Sequence, residues 1–187
     1  MGKIVLPKIL ERFEVEKLLE QPSQKSKTGI RNRAILRLII NTGLRVSEIV
    51  NLQKRNVDLP GEMLRVVNGK GGKDRDVPIL PEAIPYLEKW EKLRPEEFLY
   101  FVSYKNNPLK AQYLDQMIKR YAKKAGIQKR VYCHLLRHTY ATEYYRQTKD
   151  IGALRLILGH SDISTTQIYV TLSNEDIKKA TKGVVGF

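Results

Sequence analysis

The chain of 187 residues is long enough for one domain, or at most one and a half, and its 42% hydrophobic content excludes a disordered polar chain. Lys and Arg total 34 against 20 Asp and Glu, a net charge of +14, which favours a polyanionic partner over the other reading, a Lys-rich solvated surface of thermophilic type. A single cysteine, Cys133, excludes an internal disulfide framework and a cysteine-built zinc site, and no apolar run approaches the roughly 20 residues of a membrane span.

Residues 10–21, LERFEVEKLLEQ, place Leu10, Phe13, Val15, Leu18 and Leu19 at near-helical spacing with acids early, which predicts a first helix. The polar QPSQKSKTG of 21–29 reads as a loop. A strongly apolar helix follows over 30–45, through Ala34, Ile35, Leu38, Ile39 and Ile40, and Gly43 ends it. A short helix over VSEIVNL, 46–52, comes directly after. The period then changes. Residues 63–80, MLRVVNGKGGKDRDVPIL, read as strand, Gly-rich turn and strand, with Pro78 suited to an edge. PEAIPYLEKWEKLR, 81–94, is a surface helix opened by proline, and FLYFVS, 98–103, a strand or buried extended segment. KAQYLDQMIKRYAKKAG, 110–126, is an amphipathic basic helix stopped by Gly126. Helical stretches follow at 134–147 and 150–160, then SDISTTQIYVTL at 161–172. The last stretch opens on a capping box, Ser173 to Asp176. The fold class is mainly α with a small antiparallel β-sheet, an α+β domain without internal repeat or linker.

Residues 132–142, YCHLLRHTYAT, hold two of the three histidines. Helical spacing puts His134, Arg137 and His138 on one side of one helix. One reading is metal: His134 and His138 spaced as a helical pair, with His160 as third ligand. Against it, Leu135 stands where a helical zinc protease needs its glutamate base, and the cationic Arg137 opposes a metal ion. Other polar islands are as bland when read singly. Arg45 can pair with Glu48, Lys70 and Lys73 can be solvated turn residues, His160 can cap a helix, and Tyr169 can be a core tyrosine.

Together, the order Arg, Lys, His-x-x-Arg, His, Tyr resembles the tyrosine recombinases, in the Xer and lambda-integrase branch of the phage integrase family. TGLRVSEIVNL at 42–52 looks like the family's first arginine box, and GKGGKDRDVPI at 69–79 like its hairpin lysine box. HLLRHTYAT at 134–142 is similar to the central box, and ILGHSDISTTQIYV at 157–170 to the terminal one. LPKILERFEVEKLLE at 6–20 also resembles the start of Xer catalytic domains, so the likeness runs from about residue 7 to residue 181.

That resemblance implies the tyrosine recombinase catalytic-domain fold and metal-independent DNA strand cleavage through a 3′-phosphotyrosine. Arg45 and Arg137 would hold the nonbridging phosphate oxygens, as planar, permanently charged guanidiniums suit. Tyr169 would be the nucleophile. Lys73, with Lys70 as the fallback, would give the leaving 5′ oxygen its proton; His134 would be an acid/base near the tyrosine, and His160 would hydrogen-bond the phosphate. Glu48 and His138 would support them. No metal and no cofactor is implied.

The implied partner is double-stranded DNA carrying a recombination site, bound by a tetramer, with a monomer or dimer when free and no membrane. Lys119, Arg120, Lys123 and Lys124 are further candidates for phosphate binding. Residues 1–187 are expected as a single catalytic domain without the family's N-terminal core-binding domain, and 172–187 as a tail that docks on a neighbouring protomer. With no long apolar h-region and no cleavage signal near the start, the expected location is the cytoplasm. Two other activities belong to the same chemistry: strand relaxation of the type IB topoisomerase kind, and DNA binding by the same fold without reaction.

Overall fold

Helix α2, Lys27–Thr42, is buried around almost its whole circumference, and the rest of the molecule is arranged on it. Ala34, Ile35, Leu36, Leu38 and Ile39 are all at or below 1% exposed, as in a helix that runs through a core and not along a surface. The computed structural model describes residues 9–67, 74–159 and 168–171. Ser26 starts α2 by accepting a hydrogen bond from the Gly29 amide at 3.1 Å. The helix therefore begins inside the stretch expected as loop. Gly43 stops it with a left-handed φ of 63°.

Helix α1, Arg12–Glu20, lies before α2, and the Glu11 amide donates to the Glu14 carboxylate at 2.8 Å. Leu18 and Leu19 face the core, but Phe13 is 58% exposed, against its place in the predicted apolar stripe. Its ring faces outward with the Lys17 ammonium 5.7 Å from its centroid. Helix α3, Val46–Val50, leads through a 3-10 turn at Lys54–Asn56 to a three-stranded antiparallel sheet. Strand β1 is Val57–Asp58, β2 Met63–Val66 and β3 Arg75–Pro78. Leu64 faces Val77 and Val66 faces Arg75 across the β2–β3 ladder, and Pro78 lies on an edge strand, where its missing donor costs no ladder bond. β1 pairs with β2 through Val57 and Leu64; the sequence reading had not expected it.

A 3-10 turn at Pro81–Ala83 opens α4, Ile84–Glu91. This helix is only half a surface helix, since Leu87 and Trp90 are buried. The Trp90 indole donates to the Tyr100 carbonyl at 2.9 Å, anchoring the buried extended segment Tyr100, Phe101 and Val102. Helix α5, Ala111–Lys124, packs Leu114, Met117, Ile118 and Ala122 inward, and Gly126 follows it at φ 72°. From α5, Asp115 caps the next helix, accepting from the Cys133 amide at 2.9 Å. That helix is α6, Cys133–Thr148; α7, Ile151–Leu158, follows, with Asp150 accepting from the Ala153 amide and Gly159 left-handed at its end. Residues 168–171 form a further helical turn. One core runs from Leu10 to Tyr169, so the described residues are a mainly α domain carrying a small antiparallel sheet. The capping box at Ser173 and the tail 172–187 lie outside the described residues. No described helix is long and apolar enough to cross a membrane.

Candidate active site

The ends of α2 and α7 meet beside the middle of α6, and Arg137 lies where they meet. It is 1% exposed. Its guanidinium donates to the Gly43 carbonyl at 2.6 Å and to the Leu158 carbonyl at 2.8 Å. Both carbonyls belong to helix C-terminal ends, where backbone dipoles present partial negative charge to a cation. Burial, with Arg45 nearby, pushes Arg137 down to about 10 against the opposing pull of Glu48 and Tyr169, so it stays charged at neutral pH.

Arg45 precedes α3 and donates to Glu48 Oε1 at 3.0 Å and to the Gly159 carbonyl at 3.3 Å. Glu48 also accepts from the Arg45 amide at 2.7 Å. Burial pushes the Glu48 carboxyl up, but hydrogen bonds from Arg75 and the Arg45 backbone, with the charge of both guanidiniums, hold it below the usual carboxylate range. Arg75 was missed in the sequence. It grips both Glu48 oxygens, and its Nε donates to the Ile157 carbonyl at 2.7 Å. A signal was present: Arg75 and Val77 lie on the same face of β3, and an arginine beside a core valine in that alternation needs a buried partner.

Tyr169 is 1% exposed, and its hydroxyl meets His138 Nδ1 at 3.0 Å. Burial raises the phenol above its ordinary value, while Arg137 and Arg45 work against that rise. Burial, followed by His134 and Arg137, pushes His138 down to about 4. His134 is exposed, and its ring stands edge-on to His138 with centroids 4.3 Å apart. Burial, Arg137 and Arg45 shift it downward too. The histidine that touches the tyrosine is thus His138, not His134.

The fold therefore brings Arg45, Glu48, His134, Arg137, His138 and Tyr169 into one site, from positions spread over most of the chain. Lys70, Lys73 and His160 lie outside the described residues. Lys119, Arg120, Lys123 and Lys124 are exposed on α5. A cavity of about 590 Å³ opens beside Arg45 and Glu48, lined also by Ser47, Asn51, Gln53 and Arg65. Among the described residues no group of three His, Cys, Asp or Glu is placed to hold a metal ion. Two guanidiniums converge beside a buried phenol and its imidazole, an arrangement suited to a phosphate ester attacked by oxygen.

The sequence profile of the phage integrase family matches residues 8–176. The chain belongs to the phage integrase family. Among curated relatives, tyrosine recombinase XerD of Staphylococcus aureus (strain Mu50) is 40% identical over 181 residues, covering 93% of this chain and 61% of the relative. The chain thus spans about three-fifths of the length of the curated relatives it matches. Among solved structures, a XerA recombinase superposes with a TM-score of 0.85 at 33% identity, covering 100% of this chain and 67% of that one. A XerH site-specific recombinase bound to a palindromic difH substrate, in a post-cleavage complex, gives 0.81 at 28% identity, covering 96% and 54%. The phage integrase fold is that of a tyrosine recombinase catalytic domain, and the site described here lies within the matched residues.

Proposed function

We propose that this chain is the catalytic domain of a site-specific DNA recombinase that breaks and rejoins strands through a 3′-phosphotyrosine. The observation that carries the reading is the convergence of Arg45 and Arg137 beside Tyr169 in a chain of the phage integrase family. In the reaction, the Tyr169 oxygen attacks phosphorus, the bond to the 5′ oxygen breaks, and the 3′ end stays on the enzyme. Arg45 and Arg137 balance the charge that builds on the nonbridging oxygens as phosphorus becomes five-coordinate. Lys73, with Lys70 as the alternative, supplies the proton that the departing 5′ oxygen takes up. His160 hydrogen-bonds the phosphate, and exposed His134 acts as an acid/base at its edge.

The partner is double-stranded DNA with a recombination site, which the relatives' DNA complexes support, and the location is the cytoplasm, where that DNA is. Four protomers assemble on two sites, with residues 172–187 docking on a neighbour; the free chain is a monomer or dimer. Deleting residues 173–187 tests the docking, since recombination with full assembly would refute it. The decisive experiment mixes the chain with a nicked suicide substrate and looks for a covalent adduct on a denaturing gel. Wild type should trap DNA and Tyr169→Phe should not. An adduct that survives Tyr169→Phe overturns the reading; DNA binding without adduct leaves an inactive binding domain; relaxation of supercoils without strand exchange leaves a topoisomerase.

A further inference from the structure

A phenol attacking phosphorus must lose its proton, and the acceptor has to be within hydrogen-bond reach of the hydroxyl. Tyr169 is 1% exposed, so in this arrangement bulk water is not at hand to take it. Lysine and arginine are poor acceptors when charged, and Arg137 and Arg45 are both guanidiniums. Among the described residues, the neutral base that touches the hydroxyl is the imidazole of His138, with Nδ1 at 3.0 Å. His134, assigned an acid/base role from its place in the motif, is instead exposed and meets the His138 ring in a T-shaped contact.

Resting on the cleavage reading above, we infer that His138 is a catalytic residue, the base that takes the Tyr169 proton during strand cleavage. As the tyrosine oxygen bonds to phosphorus, its O–H bond breaks and the proton passes to His138 Nδ1. The electron pair of the O–H bond becomes the O–P bond, and the pair of the broken P–O bond leaves with the 5′ oxygen, which takes its proton from the hairpin lysine. Rejoining runs the same path backwards: the 5′ hydroxyl attacks, and His138 returns its proton to the tyrosine oxygen. The step requires the tautomer with hydrogen on Nε2, so that Nδ1 accepts.

The surroundings are arranged for this use. His134 and Arg137 from α6 face the imidazole, Tyr169 faces it from the turn 168–171, and Arg45 adds positive charge on the Tyr169 side. Burial, followed by the neighbouring His134 and Arg137, holds His138 neutral at pH 7, ready to accept. When a phosphodiester enters beside Arg45 and Arg137, its negative charge offsets theirs. Imidazolium then becomes easier to form as charge builds on the phosphorane. His134, nearer solvent, is left to the phosphate edge.

The test compares single-turnover adduct formation by wild type, His138→Gln, His138→Ala and His134→Ala on two suicide substrates, one ordinary and one with sulfur replacing the bridging 5′ oxygen. Sulfur leaves as a thiolate without needing a proton, so this substrate restores variants that lack an acid and not those that lack a base. His138→Gln keeps a hydrogen-bond acceptor but has no basic nitrogen. It and His138→Ala should lose at least about 100-fold in rate on both substrates. Their DNA affinity and melting temperature, read in parallel, should leave the bound fraction unchanged in the assay. Wild-type rates in His138→Gln overturn the inference, and so does restoration of His138→Gln by the sulfur substrate. Loss of base-like behaviour in His134→Ala with His138→Gln intact would hand the role back to His134. A wild-type chain that forms no adduct on either substrate brings down the cleavage reading and this inference with it, whereas a reactive wild type with a reactive His138→Gln brings down this inference alone.

Discussion

Arg75 and Glu48 form a two-pronged ion pair: the Arg75 Nη1 and Nη2 atoms donate to the two Glu48 carboxylate oxygens at 2.8 and 2.9 Å. Only 10% and 6% of their side chains are exposed. The third Arg75 contact, to the Ile157 carbonyl, ties β3 to the end of α7, while Glu48 ties it to Arg45. One guanidinium thus joins β3 to the end of α7 and, through Glu48, to Arg45 at the start of α3. It also occupies the space over Gly159, where an added Cβ would sit 3.1 Å from Arg75 Cδ.

Removing Arg75 leaves Glu48 buried with Arg45 as its remaining guanidinium, and breaking a buried pair in this way costs about 3 kcal/mol or more. Arg75→Ala should lower the unfolding free energy by that amount in urea titrations, with an unchanged m-value. Arg75→Lys keeps the charge but cannot span both oxygens and a carbonyl, so it should recover less than half of the loss. Adduct formation should fall in both variants, because Arg45 loses the carboxylate geometry that orients it. Arg75→Ala with wild-type stability would show the pair to be dispensable.

Ser26, which starts α2, was passed over inside a polar stretch, whereas the helices α2 and α5 were legible from the apolar run of α2 that Gly43 ends and from the apolar stripe of α5. Strand β1 was not, since two residues are too short for a period to appear. Phe13 sits in the stripe of a nine-residue helix whose buried apolar residues are only its C-terminal leucines, so periodicity overestimated its burial. Motif order singled out Arg45, Arg137 and Tyr169, and the fold brings these together. Arg75 stayed hidden because its partner is 27 residues away and meets it only through folding. Helical spacing likewise put His134 and His138 on one side without telling which would reach a tyrosine 31 residues beyond His138.

Gly43 links the end of α2 to the site, and a side chain there fails twice. Its φ of 63° costs an L-residue about 1–2 kcal/mol. An added Cβ would lie 2.4 Å from Tyr140 Cδ1 and 2.9 Å from Leu158 Cδ2, an overlap with ring and methyl that adds about 1–3 kcal/mol. Gly43→Ala should therefore destabilise by about 3 kcal/mol in total. Because the Gly43 carbonyl receives Arg137, cleavage should fall by more than loss of folded protein explains. An active, fully stable Gly43→Ala would contradict both steps.

Stability should decline on the acid side of neutrality before ordinary carboxylates titrate. An unfolded histidine titrates near about 6.5, whereas folded His138 is pushed down to about 4. Between those values the unfolded chain binds the proton that the native state refuses. The stabilisation is complete above about pH 6.5 and is lost as pH falls toward 4, at most about 3 kcal/mol from this group. Glu48, lowered below its usual value, adds a loss of the same sign at lower pH. Urea unfolding of wild type at several pH values from 7.5 to 4 should show the decline, and His138→Gln should flatten its upper part. A wild-type curve flat across that window would refute the neutral, half-buried imidazole.

Lys119, Arg120, Lys123 and Lys124 stand away from the buried face of Leu114, Met117, Ile118 and Ala122, so replacing them leaves the core untouched. If they neutralise DNA phosphates, each contact releases counterions and contributes about 0.9 to the slope of log affinity against log salt. Changing all four to Gln should shallow that slope by between about 2 and 4, weaken binding alike on specific and unrelated duplexes, and leave the melting temperature within a few degrees of wild type. An unchanged slope would make this face an ordinary solvated surface and move the main phosphate contacts to the Arg45 side, where Arg65 lines the neighbouring cavity. Arg65→Gln, compared in the same titration, separates the two surfaces: whichever substitution shallows the slope marks the face that the backbone follows.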